Sequence, residues 1–301
     1  MSRINIRFTR FSAFYSPLIC AVSGGFLNRE GLEPECSVAA PGVSALTALE
    51  DGSAHVVQSA LSQGLNALEN GKMPGAVHFA QINEMDGFFL TGREPDPEFS
   101  WGKLQAARVL VDHAAQPLAM FRYACHRRGV DFRDLDVVDA GSVDEMDAAF
   151  RSGIGEYIHQ QGPAPQQLEH DGAGAVVASV GEAIGPCGFS SLAARPEWLD
   201  TDMARSFMRA YRGARRFIND MPAAEIAAAE TKWFPGIDRL VLTRAIAYYQ
   251  TLGCWTPHAE ITRAAFEKTQ DVFQFSGALS RRYDYAAVCA RPPDESPEVF
   301  S

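Results

Sequence analysis

The sequence contains no apolar run approaching the roughly 20 residues that a bilayer-spanning helix needs, so no membrane span and no direct membrane insertion are expected. It contains no C-x-x-C pair. Its six cysteines, Cys20, Cys36, Cys125, Cys187, Cys254 and Cys289, are spread along the chain, which argues against a zinc ribbon or a dithiol redox motif. Most sit in apolar runs such as Ile19-Cys20-Ala21 and read as small buried hydrophobes kept reduced. No Walker loop, GxGxxG or Ser-His-Asp spacing is present, and no cofactor or metal is expected. Basic charge is scarce: 27 Lys+Arg stand against 37 Asp+Glu, a formal net charge of −10. That balance argues against nonspecific binding to nucleic acid or to an anionic membrane, both of which need basic surface. It leaves the sign of a small ligand open, because a few cleft residues can oppose the global charge.

What is present is an ordinary globular composition, 47% hydrophobic and 21% charged, over 301 residues. That length suits two lobes better than one compact core. Arg3, Arg7 and Arg10 ahead of the apolar stretch 11–22 imitate a secretory signal. However, Ile4, Ile6 and Phe8 alternate with Asn5, Arg7 and Thr9 as in a half-buried strand, and Ser16-Pro17 is a helix start. The expectation is therefore no signal peptide in this chain. The protein is periplasmic if a leader has been removed and cytoplasmic otherwise.

Strand and helix alternate through the first half: strand 4–11, helix 17–27, strand 33–39, a helix from Pro41-Gly42-Val43-Ser44 through Glu50, strand 54–60, a helix to Asn70 and strand 75–82. A connection follows over 92–102, with Pro95 and Pro97. A second alternation gives strand 107–112, helix 116–128, strand 135–139, helix 142–152, strand 154–159, a helix after Pro163, and strand 174–180. Residues 185–194 read as an extended return crossing. Helices follow at 201–219, 223–233, 238–252 and 262–277. The reading is an α/β fold of two lobes with a helical C-terminal tail. The first lobe takes 1–91 plus 190–301, the second takes 92–189, and a ligand cleft lies between them.

At this point the residues resemble a family. The string Tyr15-Ser16-Pro17-Leu18 through Gly24-Gly25-Phe26-Leu27, then Glu30-Gly31-Leu32-Glu33, resembles the opening of the nitrate/sulfonate/taurine-type solute-binding proteins of ABC transporters. The fungal thiamine-pyrimidine synthase-like proteins share that opening. Further matches are Leu49-Glu50-Asp51-Gly52-Ser53-Ala54, Lys103-Leu104-Gln105-Ala106-Ala107-Arg108-Val109, Ala149-Phe150, and a last helix Ala265-Phe266-Glu267-Lys268-Thr269-Gln270-Asp271. The resemblance implies a type-II periplasmic-binding-protein fold, each lobe a mostly parallel sheet flanked by helices. It also implies a monomer that holds a ligand between its lobes and passes it to an ABC permease. His55 stands where the family commonly has Asp, and the family's secretion signal is absent. Two alternatives stay open: an enzyme on the same fold, or a cytoplasmic ligand sensor. Desulfinases use a cysteine near the first strand end, where this chain has Ser12, Phe14 and Tyr15, and the pyrimidine synthases carry a compact cysteine cluster that it lacks.

In open α/β sheets a ligand lies beyond the carboxyl ends of strands, beside helix N-termini that favour anions. Those junctions nominate Ser12, Phe14, Tyr15, Ser44, Gln58, Ser59, His113 and Gln116, and from the second lobe Tyr157, His159 and Gln161. Hydroxyls, amides and imidazoles suit a small polar or anionic organic molecule with an apolar or aromatic body, of sulfonate, carboxylate or pyrimidine type. Each residue has a plainer reading beside this one. Phe14 and Tyr15 also read as core, Ser44 as a helix cap and His113 as a surface residue; His55 reads as a satisfied core histidine.

Overall fold

The computed structural model describes residues 1–40 and 43–293, so Pro41 and Gly42, which open the helix expected through Glu50, lie outside the described residues. In β1 (Ser2–Phe8), Ile4, Ile6 and Phe8 are fully buried while Asn5 and Arg7 between them are half-buried, the period of two expected from the sequence. The chain continues as α1 (Ser16–Ser23), α2 (Phe26–Arg29), β2 (Leu32–Val38), α3 (Thr47–Glu50), β3 (Val56–Ala60), α4 (Leu61–Glu69) and β4 (Val77–Gln81). Next come β5 (Phe88–Gly92), β6 (Arg108–Leu110), α5 (Ala115–Arg127), β7 (Asp136–Val138), α6 (Val143–Arg151), β8 (Tyr157–Gln161), α7 (Ala164–His170), β9 (Ala175–Ser179) and α8 (Val180–Ile184). After β10 (Ser190–Ala194), the tail is α9 (Asp202–Asp220), α10 (Ala223–Glu230), α11 (Arg239–Leu252) and α12 (Arg263–Phe275). Side-chain caps set several of these starts: Thr201, Asp238 and Thr262 accept from the first turns of α9, α11 and α12, and Ser142 with Glu145 closes a capping box on α6.

Two five-stranded sheets result, ordered β2-β1-β3-β10-β4 and β7-β6-β8-β5-β9. In the first, β1, β2 and β3 are mutually parallel and β10 runs against both β3 and β4. In the second, β6, β7 and β8 are parallel and β5 runs against β8 and β9. Each sheet therefore has one reversed strand among otherwise parallel ones, the mostly parallel two-lobed α/β architecture.

Two expectations change in detail. A lobe boundary after Thr91 puts residues 88–91 of β5 in the first lobe, yet this strand pairs with β8 (Leu90↔His159) and β9 (Leu90↔Ala178), so the crossing falls ahead of Phe88. The strand expected over 154–159 begins at Tyr157, because Gly153 (φ 96) and Gly155 (φ 75) hold a left-handed turn before it.

The chain crosses between the sheets over 82–87 and again over 185–189. Asn83 ties the first crossing to the start of β10 and to the turn ahead of α1. Its Nδ2 donates to Phe14 O at 3.2 Å, and its Oδ1 accepts from Ser190 N at 2.8 Å. One continuous buried apolar cluster runs from Phe8 and Phe14 through Phe88 and Phe121 into the tail helices. Among the described residues no helix is long and apolar enough to cross a membrane.

The crossing leaves no room beside α8. A Cβ on Gly181 would lie 2.3 Å from the carbonyl oxygen of Asp86, a backbone atom with no rotamer to yield. Gly181→Ala is therefore expected to cost about 2 kcal/mol and lower the melting temperature by several degrees in thermal denaturation.

Candidate functional site

Two cavities open between the sheets, and Arg10, two residues past the end of β1, lines both. The smaller holds about 220 Å³ and the larger about 610 Å³. Gln58 on β3 fixes the approach to Arg10: its Oε1 accepts from Thr9 N at 2.9 Å and also from the Thr9 hydroxyl. Arg10 then reaches across to the second lobe, its Nη1 standing 3.5 Å from Asp112 Oδ2. Asp112 is held in turn by Ala114 N, which donates to its Oδ1 at 2.8 Å.

The smaller cavity is where the β-to-α junctions converge. It is lined by Tyr15, Ser44, Gln58, Ser59 and Gln116, and by the starts of α4 (Ala60, Ser62, Gln63) and α5 (Ala114, Ala115, Pro117). Neither α4 nor α5 has a side-chain cap. The first-turn N–H groups of two helices, with the positive ends of their dipoles, therefore border one small space. Among the described residues Arg10 is its one charged lining side chain. Such a space suits an anionic group. Gln58 contributes structure rather than a free acceptor, since Thr9 occupies its oxygen. Gln116 donates from Nε2 to Phe189 O at 2.9 Å and keeps a buried, unpartnered Oε1. Ser44 is exposed at the rim, its hydroxyl 3.3 Å from Gln63 Oε1 and accepting from Leu46 N.

The larger cavity collects Ser12, His159 and Gln161. Ser12 bridges the lobes, donating from Oγ to Gly162 O at 2.7 Å. His159, expected to face ligand, is fully buried and sandwiched between Phe88 (ring centroids 4.5 Å) and Phe121 (4.8 Å). Burial pushes it down to about 3, so it is neutral at ordinary pH. Neither of its ring nitrogens has a hydrogen-bond partner, and the same is true of both amide atoms of Gln161.

Three nominated residues are elsewhere. Phe14 is fully buried against Tyr15, Phe189 and Tyr249 and lines neither cavity; it is core, not a ligand shelf. His113 turns back on its own strand, with Nδ1 2.7 Å from Val111 O, and Tyr157 packs against Phe99. Tyr157 opens β8 while the cleft lies at its far end, four residues or about 13 Å away. His113→Ala and Tyr157→Phe are accordingly expected to leave the Kd of any cleft ligand within about twofold by titration calorimetry. His55 is the structural residue expected, its Nδ1 accepting from Asn5 N at 2.9 Å.

Sequence reasoning passed over Arg10, although it follows the same strand end that nominated Ser12. No cysteine lines either cavity. Cys20, inside α1, donates to the buried Glu230 carboxyl group at 3.1 Å, and burial raises its thiol far above the usual range. A wider groove of about 1020 Å³, lined by Arg122, Phe132 and Phe275, lies on the outer side of α5 and gathers none of the strand-end junctions.

No protein-family model matches the chain. Over 289 residues it is 25% identical to YtlA of Bacillus subtilis (strain 168), named as a binding protein; the match covers 95% of this chain and 86% of that one. Among solved structures, it superposes on the ligand-binding component of an ABC-type import system from Staphylococcus aureus, crystallised with zinc bound. The TM-score there is 0.76 at 15% identity, covering 98% of each chain. The alkanesulfonate-binding protein SsuA of Xanthomonas axonopodis pv. citri, bound to MOPS, gives 0.73 at 16% identity, covering 97% of this chain and 99% of that one. The chain thus has the two-lobed type-II periplasmic-binding-protein fold, and over nearly its whole length it is similar to the solute-binding proteins of that fold.

Proposed function

We propose that this protein is a solute-binding protein whose two lobes close on a small anionic organic molecule and present it to an ABC-type permease. The observation that carries this reading is the smaller cavity, where the uncapped starts of α4 and α5 meet Arg10. One helix start comes from each lobe, so an anion seated there draws the lobes together. The lobe carrying β5 to β9 moves against the rest about the crossings at 82–87 and 185–189. Sulfonates and carboxylates are the head groups that fit, each offering acceptor oxygens to several N–H donors at once. An enzymatic role gains no support from the site, where the first cysteine after β1, Cys20, is packed inside a helix.

A thermal-shift screen of sulfonates, aromatic carboxylates and pyrimidines tests the proposal, followed by small-angle scattering with each hit. Expected are a saturable rise in melting temperature for anionic members and a smaller radius of gyration on binding. A panel without a single saturable shift would sink it, and so would binding accompanied by turnover of the ligand.

A further inference from the structure

The smaller cavity, at about 220 Å³, is below the roughly 300–1,000 Å³ of sites that enclose a whole organic ligand. It has room for a head group, and among the described residues the one lining residue it shares with the larger cavity is Arg10. An acid group held among the helix starts therefore stands beside Arg10, which also borders the larger one. The larger cavity has a distinct chemistry. Phe11 and Trp233, ring centroids 4.8 Å apart, form part of its wall with Met146, Phe234 and Ile237. Its charged side chains are largely occupied: Arg10 faces Asp112, and Arg151 bonds Asp147 and Asp171. Asp144 is exposed.

The groups left without partners are neutral. Gln161 lines this cavity, and its amide nitrogen and amide oxygen are both buried without hydrogen bonds. Buried amides are seldom left so, because each unmade bond carries the full desolvation cost of the group. Turned toward the cavity, the Gln161 amide would offer a donor and an acceptor in one plane, the complement of an edge carrying an acceptor beside an N–H.

We propose, resting on the anion-binding reading above, that the larger cavity is a specificity pocket for a flat, uncharged body with an adjacent donor and acceptor, of carboxamide or lactam type, read by Gln161. Aliphatic acids fill the same space but leave this amide unpaired. Gln161 is then a specificity-determining residue and Arg10 the anchor.

The test uses matched probes in titration calorimetry with the full chain: 4-carbamoylbenzenesulfonate against 4-methylbenzenesulfonate, and the corresponding pair of benzoates. The carbamoyl member of the bound pair is expected to bind at least tenfold more tightly. Gln161→Leu should bring the ratio close to one while changing the methyl member by less than threefold. Its melting temperature should match or exceed that of the parent protein, since an unpaired amide is replaced by an apolar group; Gln161→Met serves if leucine disturbs folding. Equal affinity of the two members overturns the specificity pocket. If that equal affinity is lost in Arg10→Gln, the anion site itself stands. Failure of all four probes to bind overturns both readings.

Discussion

Replacing Arg10 by glutamine is expected to weaken binding of an anionic ligand by roughly ten- to a hundredfold, which corresponds to loss of a charge-assisted hydrogen bond of about 1.5–3 kcal/mol. Two effects act in the same direction. Glutamine removes the one charged side chain lining the smaller cavity. It also strips Asp112 of its cation, leaving a carboxylate whose side chain is only 11% exposed facing the incoming anion. The second effect can be separated from the first. Asp112→Asn keeps an oxygen able to accept from Ala114 N, so the start of α5 stays formed, while Arg10 no longer has an internal competitor. That variant should bind more tightly than the parent, and the double variant more tightly than Arg10→Gln alone. A double-mutant cycle by calorimetry, at low and at high salt, measures the coupling. Arg10→Gln binding as well as the parent would remove the anchor from the proposed site. Additive effects would mean that Arg10 and Asp112 do not compete.

How much of this was legible beforehand depends on how far apart the interacting residues are in the chain. Local chemistry was readable: the alternation of Ile4, Ile6 and Phe8, the Ser16-Pro17 helix start and the tail helices are decided within a few residues. The sheet that β5 joins was not, because Phe88–Gly92 reads the same on paper whether its partners lie in the first lobe or the second; β8 and β9, some 70 to 90 residues on, decide it. The same gap explains His159, whose flanking rings Phe88 and Phe121 come from β5 and α5. Tyr157 was misplaced by a local error, since reading β8 as ending at 159 puts the cleft end of the strand too early. Arg10 was within reach of the strand-end rule. Its basic neighbours Arg3 and Arg7 drew it into an argument about signal peptides, although Arg3 pairs with Glu35 on β2 and only Arg10 enters the cleft.

The melting temperature is expected to fall as pH rises from about 6.5 to 8, an effect of two buried carboxyl groups. Glu230, at the end of α10, is fully buried; it accepts from Ser16 Oγ at 2.9 Å and from Cys20 Sγ, and burial raises it to about 8. Asp86, in the first crossing, is also raised to about 8, by burial and then by the nearby Asp112 charge. One of its oxygens accepts from Phe88 N at 2.6 Å, and the other has no partner. The folded protein keeps both protons up to about pH 8, whereas the unfolded chain releases them near 4, so their contribution is complete at low pH and is lost as pH climbs through that window. Histidines act in the opposite sense, half-buried His55 as well as two that are fully buried. Burial lowers His78 to about 4 and His159 to about 3, so the folded state gains from their neutrality as pH rises toward 6.5 and gains nothing further above it. The slopes oppose each other up to 6.5, and beyond that only the carboxyl groups remain. Each then costs up to about 1.4 kcal/mol per pH unit, or about 2 kcal/mol by pH 8. Glu230→Gln and Asp86→Asn should each flatten the decline in differential scanning calorimetry, and the double variant should nearly abolish it. Variants that track the parent curve in parallel would assign the decline to other groups.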